Sequence, residues 1–207
     1  MDPCTLSRRF SKRGHMTQAK RNNIRPFYLK ISLLLVILAI VLAGVAISAQ
    51  DKYTVKVPGG LAFSEFRGYE SWQTISISQN ERVMAVIVGN ASMIEAYQGG
   101  IPGNGRPWPD GAKMAKIHWI PKKSEYPGNP SVPANLLNVD FMVKDSGRFA
   151  DSGGWGYAVF DYDAKSDTFT PGTSADNPPQ GNDAKCGFAC HTIVKTRDYV
   201  FTDFGKR

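Results

Sequence analysis

Between Asp51 and Arg207 the sequence is a succession of short apolar or alternating runs, each closed by proline or glycine. The breaks fall at Pro58-Gly59-Gly60, at Gly99-Gly100, through the Gly- and Pro-filled loop Gly100–Gly111 and across Pro127–Pro133. Such punctuation favours short strands over long helices. Trp72–Ser78 alternates polar and apolar residues, and Arg82–Val88 is rich in β-branched and apolar residues. Ala112–Ile120, Asn138–Val143 and Gly156–Tyr162 read the same way, and Asp161–Thr170 turns back as a hairpin. Asp51–Gly60 is a linker or first extended segment. A short helix follows the Arg82–Val88 strand, with Ser92 and Glu95 at capping-box spacing and Gly99-Gly100 at its end. Another short helix follows His191 and ends near Tyr199. The expected fold is mainly β (α+β), an antiparallel sheet with a few short helices, and not a four-helix bundle.

The net charge of +7 invites a nucleic-acid reading, but its distribution removes it. Eight of the 25 basic residues precede Ile31 against one of the 18 acids, so the rest of the chain is formally neutral and carries no basic face for nucleic acid. After the basic region comes Ile31–Ala49, apolar and uncharged. It reads either as a cleaved secretory signal or as an uncleaved membrane anchor. Both keep the basic side in the cytoplasm and export the C-terminal domain. Met16 is an alternative start that would leave a conventional signal and remove Cys4. The expected organisation is a targeting segment over residues 1–50 and an exported domain over 51–207. The expected location is periplasmic, with inner-membrane attachment only if the leader is retained.

The exported part keeps two cysteines, in Cys186-Gly187-Phe188-Ala189-Cys190-His191. Two thiols with a histidine directly after the second suit covalent haem attachment. The thiols add to the haem vinyl groups and the imidazole ligates iron. The usual spacing has two residues between the cysteines, and here there are three. Gly187 is placed to absorb the altered path. The competing reading is a Cys186–Cys190 disulfide in a haem-free tethered module, since an exported thiol pair oxidises readily. On the first reading, Cys186, Cys190 and His191 bind haem c and His191 is the iron ligand.

Four segments resemble the cytochrome P-460 family: Leu61–Glu70, Pro107–Lys116, Phe149–Tyr157, and Cys190–Val194 with Asp198–Thr202. The resemblance runs from about Leu61 to Arg207. It implies a mainly β domain, usually a homodimer, with haem near the C-terminus and a five-coordinate iron open on its distal side. It also implies a lysine bonded to the porphyrin edge. The related β-type cytochromes c′ share the fold, lack that bond and bind small gases. The function implied is oxidation of hydroxylamine or a similar small nitrogen species, with electrons passed to a partner cytochrome. The alternative is a non-catalytic protein that binds nitric oxide or carries electrons.

For the lysine bond, Lys116 lies in the segment that resembles the family's lysine-bearing strand. By the period of two it shares a face with Met114, His118 and Ile120, while Lys113 is on the other. Glu65, Arg67 and Asp110, from the resembling segments, are candidates for a distal acid or base. Phe63, Phe66, Trp108, Trp155 and Phe160 are candidates for pocket walls, with ordinary core packing as the alternative. Met84, Met93, Met114 and Met142 are candidates for a sixth ligand, against core filling. His118 is a candidate neighbour of the site, against a structural role.

Overall fold

The computed structural model describes residues 50–57, 60–172 and 184–207; of Ala184, Lys185 and Cys186 it describes the backbone. The apolar run Ile31–Ala49 and the polar linker Thr173–Asn182 lie outside the described residues. Among the described residues no helix is long and apolar enough to cross a membrane.

Six strands form one antiparallel sheet in sequence order: β1 (Gln73–Gln79), β2 (Met84–Gly89), β3 (Lys113–Lys123), β4 (Ser131–Lys144), β5 (Trp155–Asp163) and β6 (Thr168–Pro171). Every strand pairs with the one before it, so the expected mainly β, antiparallel fold is what forms. The main differences are in length. β3 runs past Ile120, and β4 begins at Ser131 where a Pro-rich loop was expected. Proline cannot donate to a ladder, and it is accommodated here by irregular pairing. The β3–β4 register shifts between His118 and Trp119 and again between Ile120 and Pro121, after which Pro121 stands opposite Pro133.

Helix α1 (Ala91–Gln98) ends at Gly99-Gly100 as expected, with Gly100 at φ +90°. Its cap differs from expectation. Asn90, and not Ser92, accepts from the Met93 amide, and the same oxygen accepts from the Lys113 amide. One side chain therefore starts the helix and anchors it to β3. Residues 52–54, expected to be extended, form a 3-10 turn capped by Asp51. Helix α2 (Ala184–His191) carries the cysteine–histidine segment, and a 3-10 stretch over Thr192–Arg197 comes directly after it.

Alternation along the strands gives the sheet two unlike faces. Val88, Ala115, Phe141 and Ala158 form one transverse row, and Val86, Ile117, Val139 and Phe160 form the next. These rows face an aromatic core completed by Phe63, Phe66, Tyr69 and Phe169. Phe66 stacks on Phe141 with ring centroids 4.1 Å apart. The opposite face packs α1, Trp108, Trp155 and Tyr199 at one end. Towards the other end its rows are Ile87, Lys116, Asp140 and Val159, then Ala85, His118 and Asn138. Polar and charged residues on the face of a central strand need a purpose, because burial there costs them their hydration.

Candidate haem site

Helix α2 lies across β5 at closest range. A Cβ on Gly187 would stand 2.7 Å from Tyr157 Cγ, so only glycine allows this approach. The crossing closes a pocket of about 400 Å3 between helix and sheet. Its floor is the row Ile87, Lys116, Asp140 and Val159, with Met114, Met142 and Tyr157 beside it and Gly187, Cys190 and His191 above. The volume is in the range of cofactor sites, and the lining is mostly apolar with a few convergent polar groups.

His191 is fixed by its own neighbourhood. Its Nδ1 lies 2.5 Å from the Tyr199 carbonyl oxygen. A carbonyl can only accept, so Nδ1 carries the proton and the Nε2 lone pair is left available. The ring rests between Tyr157 and Phe201, with centroids 5.2 and 4.9 Å away. Burial, opposed by the Tyr199 bond and reinforced by the Lys116 charge, holds the imidazole below the ordinary histidine range. A neutral, oriented imidazole is what an iron ligand requires.

The carbonyl that orients His191 comes from an uncommon turn. Asp198 and Tyr199 have φ of +46° and +65°, both left-handed. For residues other than glycine that conformation costs about 1–2 kcal/mol each. The turn is held from several sides. Asp198 accepts 2.8 Å bonds from Lys144 Nζ at both carboxylate oxygens, and its Oδ2 also accepts from the Trp108 amide at 2.8 Å. Its main-chain oxygen accepts from Trp155 Nε1 at 2.9 Å. Lys144 is 4% exposed and donates a third bond, 3.0 Å long, to the Gly153 carbonyl.

Cys190 is exposed and carries a free thiol. Cys186 is four residues earlier in the same helix, about one turn away. The three-residue spacing is thus a helical spacing.

The sheet brings Lys116, Cys190 and His191 around one pocket. Lys113 is turned to the other face, where its Nζ donates to the Glu65 carbonyl at 2.6 Å. Glu65, Arg67 and Asp110, the candidates for a distal acid or base, are not among the residues that line this pocket. Glu65 pairs with Arg148 at 2.7 Å and accepts from the Ala62 amide. The Arg67 guanidinium sits 3.7 Å from the Tyr53 ring centroid. Asp110 accepts from the amide and hydroxyl of Ser146, which hold its carboxyl below the usual range. Of the aromatic wall candidates, Phe63, Phe66 and Phe160 belong to the opposite core, and Trp108 and Trp155 to the packed end. Met114 and Met142 do line the pocket.

Asp140 escaped the sequence reading. A count of two along Asn138, Asp140 and Met142 gives them a common face, but the link to Lys116 needs the β3–β4 register. Asp140 also borders a second, more polar pocket of about 480 Å3 that shares Lys116 and adds His118, Asn138 and Ser78. His118 Nδ1 is 3.6 Å from Asp140 Oδ2.

The sheet and this donor set describe a haem protein of mainly β architecture. The family model for Cytochrome P460 matches residues 66–202, and the chain belongs to that family. A comparison with the curated proteins gave no match. The family implies a haem cofactor, and the residues fit one. An imidazole with its second nitrogen already hydrogen-bonded, an exposed thiol next to it and a largely apolar pocket are the parts a haem needs.

Proposed function

We propose that this protein is an exported c-type cytochrome that oxidises hydroxylamine or a similarly small nitrogen compound and hands the electrons to a second cytochrome. Cys186 and Cys190 would hold the haem by thioethers and His191 would ligate its iron. The haem would supply small-molecule binding and one-electron redox chemistry. The observation that carries the reading is His191 Nδ1 committed to the Tyr199 carbonyl while Lys116 lines the same pocket.

The chain's own residues supply positioning and proton handling. Lys116 is the pocket amine that would bond the porphyrin edge: one amine N–H and one ring C–H would give way to a C–N bond, a two-electron oxidation that would need a peroxide as co-reactant, reduced to water. Asp140, opposite Lys116 on the next strand, is the carboxylate that accepts a proton from the substrate. His118 Nδ1, 3.6 Å from Asp140 Oδ2 and so beyond direct hydrogen-bond reach, would receive that proton through one bridging water in the polar pocket. The basic leader and apolar run support export to the periplasm, where the thioethers form. A homodimer is the expected assembly.

The second reading, a gas-binding or electron-carrying cytochrome, is favoured by the same apolar pocket if Lys116 stays unbonded. Three measurements on the purified, matured protein decide between the readings. Intact mass after denaturation should include the haem, and a Cys186→Ser/Cys190→Ser double variant should lose it. The Soret band of the reduced protein should be strongly red-shifted and return to an ordinary position in Lys116→Ala. Hydroxylamine-dependent reduction of an acceptor should disappear in that variant with haem retained. A haem-bearing protein with an ordinary spectrum and no turnover belongs to the second reading. A colourless protein of unmodified mass refutes both and favours the disulfide module.

A further inference from the structure

Helix α2 bears the iron ligand, yet the group that orients this ligand is on another segment. The Tyr199 carbonyl is aimed by the left-handed pair Asp198–Tyr199, and that pair is held in place by a buried ion pair. Lys144 ends β4 and is 4% exposed, with all three of its N–H bonds made inside the protein: two to Asp198 and one to the Gly153 carbonyl. Gly153 meets the turn from the other side as well. A Cβ there would stand 2.3 Å from Tyr199 Cε2, and its φ is +71°. The ammonium thus joins the Gly153 loop and the 198–199 turn, with the Tyr199 ring closed between them. A buried ion pair is seldom a net source of stability, because both charges lose their hydration. A pair that holds two costly left-handed residues in place has a positional role to account for it.

We propose that Lys144 and Asp198 are positioning residues for the iron centre: by fixing the Tyr199 carbonyl against His191 Nδ1 they set how much electron density the imidazole gives to iron. A strong bond from Nδ1–H to a carbonyl makes the ligand more basic and favours the ferric state. Loosening the turn weakens that bond, so the reduction potential rises and the iron–histidine bond lengthens. The inference rests on His191 being the axial ligand, as proposed above.

The test uses the haem-loaded protein and two readouts, the midpoint potential and the ferrous iron–histidine stretching frequency. Lys144→Met and Asp198→Asn should raise the potential and lower the frequency, and Lys144→Arg should restore much of both. Gly153→Ala, which displaces Tyr199 from the far side, should shift both in the same direction and provides a second route if the charge variants fold poorly. Arg148→Met breaks the Arg148–Glu65 pair on the opposite face and should change neither readout. Potentials and frequencies in Lys144→Met, Asp198→Asn and Gly153→Ala equal to those of the unaltered protein would overturn the proposal while leaving His191 as ligand. Absence of the iron–histidine band from the unaltered protein would instead overturn the ligand assignment, and this inference with it.

Discussion

Lys116 and Asp140 stand directly opposite each other on β3 and β4, and both line the pocket that holds Cys190 and His191. Opposed residues on neighbouring antiparallel strands have their Cβ atoms roughly 5 Å apart. The amine proposed to bond the porphyrin edge and the carboxylate proposed to take protons are therefore set side by side by strand register alone. Asp140→Asn keeps the shape and removes the base. Turnover of hydroxylamine should fall by about 10²–10⁴-fold, the usual worth of a positioned general base, with the haem spectrum unchanged. Unaltered kinetics across the pH range would remove Asp140 from the chemistry.

The contact between α2 and β5 predicts a steric effect. In Gly187→Ala the new methyl meets the Tyr157 ring at 2.7 Å, and that ring is 3% exposed within a packed cluster. The helix must lift. We expect a loss of about 1–3 kcal/mol, as for other overpacked sites, together with poorer haem incorporation. Denaturant unfolding and the haem-to-protein absorbance ratio measure the two effects. Full incorporation at unchanged stability would mean that α2 does not sit so close to β5.

His118 gives a pH dependence of definite sign. Burial, reinforced by the Lys116 charge, keeps its pKa below the ordinary 6.5. The unfolded chain therefore takes up a proton at this site before the folded chain does. Stability from this group is at its full value above about pH 6.5 and declines as pH falls from there towards the lower folded value. In His118→Gln that decline is absent, so the balance of unfolding free energies should move in favour of the variant below about pH 6.5. Parallel stability–pH curves for the two proteins would contradict this.

The aromatic core makes the last prediction. Phe63 is fully buried and its ring lies 4.9–5.9 Å from those of Tyr53, Tyr69, Phe141, Phe160 and Phe169. Phe63→Ala should cost about 3–5 kcal/mol, read from the denaturation midpoint. The Soret position of whatever remains folded should be unchanged, because Phe63 belongs to the face away from the pocket.

Most of the fold was legible in the sequence because alternation and Gly/Pro punctuation are local signals. Trp72–Ser78 and Gly156–Tyr162 lie within one residue of β1 and close to β5. The misreadings occur where a non-local partner overrides the local rule. Pro133 looked like a loop residue until pairing with β3 carried the ladder past it. Ser92 had the spacing of a cap, yet Asn90 serves because it can also hold the Lys113 amide. For the site, Cys190 and His191 drew attention by residue type and spacing and Lys116 by the resemblance to the family's lysine-bearing strand, and the fold sets all three around one pocket. Asp140 drew none, since its neighbour is 24 residues away along the chain and adjacent only in the folded sheet. Glu65 and Arg67 drew attention as charges in a resembling segment, but each answers a partner nearby, Arg148 and Tyr53.

Successive residues of β3 and β4 serve opposite sides of one sheet: Lys116 and Asp140 look to the pocket, while Ala115, Ile117, Val139 and Phe141 look to the aromatic interior. Reactivity and foldedness are thereby written in alternating letters of the same strands. A lineage built on this scaffold can exchange an amine for an apolar group, or a base for an amide, without disturbing the half of the alphabet that keeps the protein folded. The sheet is a surface on which chemistry can be revised one position at a time.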